Sequence, residues 1–483
     1  MRKHILRLGH DSLIYGLGSV GRRLAGIITL PLYARAFGPK EFANLELAVA
    51  TYSLLGGVVD LGLTSAFVRS FFDYGKDREG IRGRRLVVST SFSVIFGSSF
   101  FLATALVVFR DFAARVIFVH PGEAEIQLVV LVAAMIPLGE AAILTAQLMR
   151  VCNERRSFVI STVVGSVITL AVGPVLVFGL HTGVQGVLVG QLAGFIASAA
   201  YGAVIARRWL RLRFSRTRLA EMLRYGLPFL PTAAAFWALA LLDRFMIARL
   251  SGLGQLGEYA VANRVTAPIP LILFGFATAY SPFILQLWKE NREMELAVRG
   301  RTLTYVTVVI ACVAVALSLF AREIIAVVAP SYHTAYKAVG LLLLGIGSYG
   351  LCSVIAAGMS ITRKTYWNML FSGIGAGVNL GLNFLLIPAY GMIGAAAATA
   401  VGYGVITLLY YANAQRIYRT PYEPSKILAT VALAIPAGAL GLVAYPNIAV
   451  ALLVKGAVLL AFPAALVAVG IIPLQRLRAA VTG

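Results

Sequence analysis

SLIYGLGSVGRRLAGIITLPLYARAF, residues Ser12 to Phe37, decides how this chain is read. The stretch is long and apolar enough to cross a bilayer, yet Arg22 and Arg23 sit near its middle. On an insertion scale each central arginine costs about 2.5–3.5 kcal/mol, so the pair costs about 5–7 kcal/mol. The surrounding Leu, Ile and Val return only about 3–5 kcal/mol, at roughly 0.3–0.6 kcal/mol each. Both guanidinium groups are therefore expected to face other helices or a watery cavity, not lipid. Charge inside a membrane marks a substrate or ion pathway by default, and a polar, anionic substrate is the expectation.

The rest of the chain supplies the membrane context. Its 483 residues are 59% hydrophobic and only 13% charged, with mean hydropathy +0.84, a composition that belongs to a polytopic membrane protein. The 42 Lys+Arg exceed the 20 Asp+Glu by 22. In a soluble chain that excess would point to nucleic acid; here basic residues in short cytoplasmic loops account for it, and no nucleic-acid partner is expected. No cleavable signal peptide is expected, because the first apolar stretch is full length and lacks a small-residue cleavage site. Cys152, Cys312 and Cys352 have no metal or C-x-x-C spacing, so free thiols are expected, with no metal site. No P-loop, H-E-x-x-H or histidine cluster occurs.

About fourteen apolar runs recur, near 12–34, 44–66, 86–109, 126–148, 157–179, 184–206, 222–248, 259–287, 302–321, 338–360, 366–388, 392–413, 427–444 and 448–472. Alternate connections hold 30 cations on one side, Arg299 among them, and 7 on the other. That asymmetry predicts an even number of spans with both termini in the cytoplasm. The segment WLRLRFSRTRLAEMLRYG, within 207–224 and just beyond, reads as a basic amphipathic piece on the cytoplasmic headgroups.

The chain also repeats itself. Gly183-x-x-Gly186 recurs 208 residues later as Gly391-x-x-Gly394, and Asn153 to Phe158 resembles Thr362 to Tyr366. Arg35 with Glu41-Phe42-Ala43 is echoed by Arg249 with Glu258-Tyr259-Ala260. Six spans separate the copies, so the repeat is parallel, with a site expected between two six-helix lobes. The expected division is an N-terminal lobe at 1–206, a linker at 207–224, a C-terminal lobe at 225–415 and two additional helices at 416–483.

Several polar residues fall inside the apolar runs. Arg22 shares a small, polar stripe with Gly18, Ser19, Ala25 and Gly26, one turn from Tyr15. Glu46 and Asp60 share a face of the second run with Ala50, Ser53 and Gly57, and Glu140 lies in the fourth. Asp243 and Arg244 fall near the outer end of the seventh, Arg264 early in the eighth, and Trp237 is seven residues before Arg244. Each has a structural alternative: Glu46, Asp243 and Arg244 as ion-paired links, Asp60 as a helix-end feature, the aromatics as interface belts. Lys455 stands alone in the last run and is expected to snorkel or to pack against a neighbouring helix, so that Lys455→Ala is tolerated.

The residues Pro31-Leu-Tyr-Ala-Arg35-Ala-Phe-Gly38-Pro-Lys-Glu41-Phe42, Asp60-Leu-Gly62-Leu with Arg69, and Leu227-Pro-Phe-Leu-Pro231 carry a family resemblance. So do Asp243-Arg244, Gly257-Glu-Tyr259 and Asn383-Phe-Leu-Leu-Ile-Pro388-Ala-Tyr-Gly391-Met-Ile-Gly394-Ala. The chain resembles polysaccharide-transport (Wzx-like) members of the multidrug/oligosaccharidyl-lipid/polysaccharide (MOP) exporter superfamily. The resemblance implies an all-α membrane protein of about 14 helices, in two pseudo-symmetric lobes with a C-terminal helix pair. It implies a flippase, not an enzyme, that moves undecaprenyl-pyrophosphate-linked oligosaccharide across the bacterial inner membrane by alternating access. Arg22, Arg23, Arg244 and Arg264, with Tyr15 and Trp237, would line the substrate cavity. Glu46, Asp60, Glu140 and Asp243 would serve coupling to a proton or sodium gradient, with no cofactor. The expected partners are the bilayer and the polymerase and chain-length regulator of the pathway, the transporter itself being monomeric. A multidrug antiporter and a lipid II flippase are the alternatives, with a polymerase or ligase ranked lower because no large external loop is present.

Overall fold

A long apolar segment can satisfy its backbone in lipid only as a helix. The computed structural model describes residues 29–75, 77–211, 213–227, 230–361 and 367–471, and contains no strand among them. Twelve helices among the described residues are long and apolar enough to cross a membrane. One of them, Trp367–Ile417, is two helices joined at Gly391, whose backbone turns at φ 56° and ψ −131°. Counting it as two passes, the described helices match every expected run after the first. The first run, apart from residues 29–34, lies outside the described residues.

The chain divides into two compact units, Met1–Gly257 and Glu258–Gly483. The first holds α1 (Pro39–Asp60), α2 (Leu63–Phe72), α3 (Arg78–Val108), α4 (Arg110–Ile117) and α5 (Glu123–Val151). Helix α6 (Arg155–Pro174) runs into a π turn at Val175–Gly179, and α7 (Val184–Ala206) and α8 (Arg216–Gly226) follow. Then α9 (Leu230–Trp237) passes through a second π turn, Ala238–Leu242, into α10 (Asp243–Leu250). Helix α11 (Leu253–Val265) straddles the division. The second unit continues with α12 (Pro268–Glu290), α13 (Arg292–Leu319), α14 (Ala321–Val328) and α15 (Tyr336–Ile355). It closes with α16 (Ala357–Ile361), α17 (Trp367–Ile417), α18 (Pro424–Ala439) and α19 (Ile448–Ala468).

Small residues let the helices approach closely, as membrane packing requires. Between α6 and α7 a Cβ on Gly190 would fall 2.6 Å from the Gly173 Cα, and one on Gly165 2.9 Å from the Gly194 carbonyl oxygen. Ser198 Oγ donates to the Ser161 carbonyl at 3.0 Å, and Ser161 Oγ to that of Ser198 at 3.2 Å. In the second unit, Val315 and Leu319 of α13 pack with Phe462 and Leu466 of α19, which attaches the C-terminal helix pair.

Two expected runs are divided. The 222–248 run breaks where α8 ends at Gly226, against which a Cβ would meet Gly62 backbone at 2.9 Å. The 259–287 run breaks at Pro268, which lacks an N–H and opens α12 as its first residue. Arg264 therefore belongs to the last turn of α11 and not to a membrane span, a correction to its expected place. The basic segment 207–224 is helical only from Arg216. Ahead of it, the Arg211 and Ser215 N–H groups donate to Ser89 Oγ (2.8 Å) and Thr90 Oγ1 (3.2 Å) of α3, which ties the segment to the bundle.

Candidate functional site

The best-defined polar site of the first unit joins α1 to α10. Gly38 and Pro39 start α1, and Glu41 accepts a hydrogen bond from the Gly38 N–H at 3.2 Å. Two turns on, this start places Glu46 on a buried face. Opposite, the π turn Ala238–Leu242 leads directly into Asp243 and Arg244. Arg244 Nε lies 3.4 Å from Glu46 Oε2, and its Nη1 lies 3.2 Å from Asp243 Oδ1 and also donates to the Ala240 carbonyl within the π turn. Glu46, Asp243 and Arg244 are 7%, 2% and 6% exposed. These contacts join two carboxylates to one guanidinium away from bulk solvent. An anion reaching Arg244 would have to displace one of them, whereas a proton on either carboxylate would weaken its hold.

Trp237 sits just before the π turn, its ring 6.4 Å from that of Phe245. Its indole N–H is buried and has no hydrogen-bond partner among the described residues. A buried indole N–H ordinarily finds an acceptor.

Glu140 occupies the middle of α5 and is 4% exposed. Among the described residues no group hydrogen-bonds to its carboxylate. Glycine makes its room: a Cβ on Gly56 of α1 would come 3.0 Å from Glu140 Oε1, and one on Gly139 2.0 Å from the Tyr52 hydroxyl. Asp60 ends α1 and accepts from the Thr64 N–H at 3.1 Å and from the Thr64 hydroxyl, in the first turn of α2, whose N-cap is Gly62. Glu46 and Asp60 thus meet different partners, with exposed Ser53 and Gly57 between them.

Other expected residues fall elsewhere. Arg264 is half-buried at the end of α11. Tyr15, Arg22 and Arg23 lie outside the described residues. Lys455 does not snorkel but packs against another helix: it is fully buried, with its ammonium 2.6 and 2.8 Å from the two Glu323 oxygens of α14 and 5.5 Å from the Tyr445 ring centroid. A mid-helix lysine with an acid in reach pairs instead of snorkelling.

Sequence reasoning missed two polar groups in the second unit. Arg299, counted among the loop cations, is fully buried; it ion-pairs with Glu295 at 3.2 Å and lies 4.5 Å over the Tyr418 ring. The Tyr418 hydroxyl donates to Glu295 at 3.0 Å. The i, i+4 spacing of Glu295 and Arg299 was the available signal. On α17, Asn383 Nδ2 donates to Asn379 Oδ1 at 3.1 Å and Asn379 Nδ2 to Thr399 Oγ1 at 3.4 Å, while Asn383 Oδ1 is buried with no partner among the described residues. Such oxygens suit a hard cation. Among the described residues no group of three or more His, Cys, Asp or Glu could hold a metal ion.

Fold and site together define a multi-pass helical membrane protein with a buried carboxylate–guanidinium cluster. The chain belongs to the polysaccharide biosynthesis protein family, whose profile matches residues 8–288, within the MOP exporter superfamily. The MatE profile matches residues 228–385. The uncharacterized membrane protein MJ1068 of Methanocaldococcus jannaschii is 24% identical over 247 residues, 48% of each chain. The capsular polysaccharide biosynthesis protein CapF of Staphylococcus aureus is 26% identical over 179 residues, 37% of this chain and 45% of its own. The chain thus spans about half the length of these curated relatives. In structure it is similar to the lipid II flippase MurJ in an inward closed conformation, with TM-score 0.73 and 16% identity over 93% of this chain and 98% of that one.

Proposed function

We propose that the protein is a flippase that carries undecaprenyl-pyrophosphate-linked oligosaccharide repeats across the bacterial cytoplasmic membrane, by alternating access, for surface polysaccharide assembly. The observation that carries this reading is the family match over residues 8–288. Relatives named for capsular polysaccharide biosynthesis and lipid II flipping support it. In this reading Arg22 and Arg23 face the pyrophosphate, Arg264 assists, and Tyr15 and Trp237 stack on sugar. Arg244 joins them only when Glu46 or Asp243 releases it, so protonation of that cluster links an ion gradient to the substrate. Glu140 with Asp60 is a second proton site, and the Asn379–Asn383–Thr399 oxygens are the alternative for sodium. Both termini lie in the cytoplasm, and the transporter works as a monomer beside the polymerase and chain-length regulator of its pathway.

The test is deletion followed by identification of the lipid-linked sugar that accumulates in the inner leaflet, complemented with Arg22→Ala. The variant is expected to stay in the membrane and fail to restore export. Normal surface polysaccharide from it would remove the arginines from the mechanism, and polymer made from lipid-linked repeats by the purified protein alone would overturn transport itself.

A second reading, an ion-coupled multidrug antiporter, is favoured by the MatE match and by the buried acids of the first unit. Against it stands the pair Arg22 and Arg23 within the first apolar run, which suits an anionic cargo better than a cationic drug. Efflux of cationic dyes by reconstituted protein, with no lipid-linked sugar accumulating in the deletion, would select it.

A further inference from the structure

The second unit holds a groove of about 650 Å³ between α13, α15 and α18. Its walls are Val315, Leu344, Leu351, Ala434 and Ile435, and Gly340 and Gly438 leave the space between them. Two lining hydroxyls are spent on their own helices: Thr307 donates to the Leu303 carbonyl and Ser348 to that of Gly345, each at 2.8 Å. The groove therefore offers apolar surface within a transmembrane bundle. From Gly340 to Leu351 it follows α15 for about 17 Å at roughly 1.5 Å per residue, close to half of a hydrocarbon core about 30 Å thick. That depth fits an acyl chain of a single leaflet.

Its mouth is basic. Lys337 and Tyr336 line it, and Arg322 of α14 stacks over the Tyr336 ring at 5.8 Å. The one acid on α14, Glu323, is engaged through both oxygens by Lys455. We propose that the groove is a lipid site, holding one acyl chain of an anionic phospholipid whose headgroup is met by Lys337 and Arg322. By the charge asymmetry of the loops, that lipid belongs to the outer leaflet.

The full chain, in nanodiscs of equal parts phosphatidylglycerol and phosphatidylcholine with added undecaprenyl phosphate, is moved to detergent and its retained lipids are identified by native mass spectrometry. Wild type is expected to retain phosphatidylglycerol several-fold over phosphatidylcholine, and Lys337→Gln with Arg322→Gln to bring that ratio near one. A Cβ on Gly340 would meet Ser318 Oγ at an ordinary 3.6 Å, so Gly340→Leu enters the groove and is expected to lower retained phospholipid. Should Gly340→Leu unfold, the charge variant, altered only at exposed side chains, decides alone. Equal retention of both phospholipids by wild type, preference unchanged in the charge variant, or undecaprenyl phosphate retained in place of phospholipid would each overturn the proposal.

Discussion

Arg244 carries a charge that the first unit holds almost wholly out of solvent. Removing one partner of a buried ion pair typically costs about 3–5 kcal/mol, because the remaining charge is stranded. Arg244→Ala takes the guanidinium from beside Glu46 and Asp243, so a drop in melting temperature in detergent is expected, with a smaller one for Arg244→Lys. Lys455→Ala, tolerated on the sequence reading, is now expected to destabilise, though less than Arg244→Ala because the Glu323 side chain is 22% exposed. A double-mutant cycle with Glu323→Gln should return a coupling of about 0.5–3 kcal/mol; none would mean that the contact is incidental. Glu423 sets a pH dependence. Burial works against its charge, but hydrogen bonds from Lys426 (2.5 Å) and Thr304 (2.9 Å) prevail and hold its carboxyl below the usual range. Its contribution is present above the ordinary carboxylate pKa and is lost as pH falls through the folded-state value. Glu423→Gln should therefore make the acid limb of a stability–pH curve shallower.

At the scale of elements, the repeat is written into two turns. Gly183 and Gly391 adopt nearly one conformation, φ 61° with ψ −144° and φ 56° with ψ −131°. Their partners are crowded too, Gly394 the more rigidly: a Cβ on Gly186 would meet the Thr182 side-chain Oγ1 at 2.3 Å, and one on Gly394 the Leu386 backbone carbonyl at 2.4 Å. Side chains at such φ/ψ cost about 1–3 kcal/mol. Gly183→Ala and Gly391→Ala should lower the melting temperature by similar amounts, and a large difference between them would argue that only one turn is needed. The Gly-x-x-Gly spacing was legible because the backbone demand falls on glycine itself. The breaks at Gly226 and Pro268 were not, since hydropathy carries on across them while packing and a missing N–H divide the helices.

For the whole molecule, apolar runs revealed the helices because lipid leaves the backbone no other choice. The polar clusters were harder to see: Glu46 and Arg244 stand 198 residues apart, and Arg299 looked like one more loop cation until the fold enclosed it. Orientation is open to direct measurement. In a background lacking Cys152, Cys312 and Cys352, Glu79→Cys should react with an impermeant maleimide only after permeabilisation, and His120→Cys in intact cells. The reverse pattern would invert the topology. The π turn at Ala238–Leu242 has a mechanical corollary. It stores one residue beyond what an α-helix uses, and closing it would rotate everything downstream by about 100°, the angle per residue at 3.6 per turn. A slip of that size would swing Arg244 off Glu46 without breaking the helix, which would make a single loop of backbone the ratchet tooth for the charge beside it.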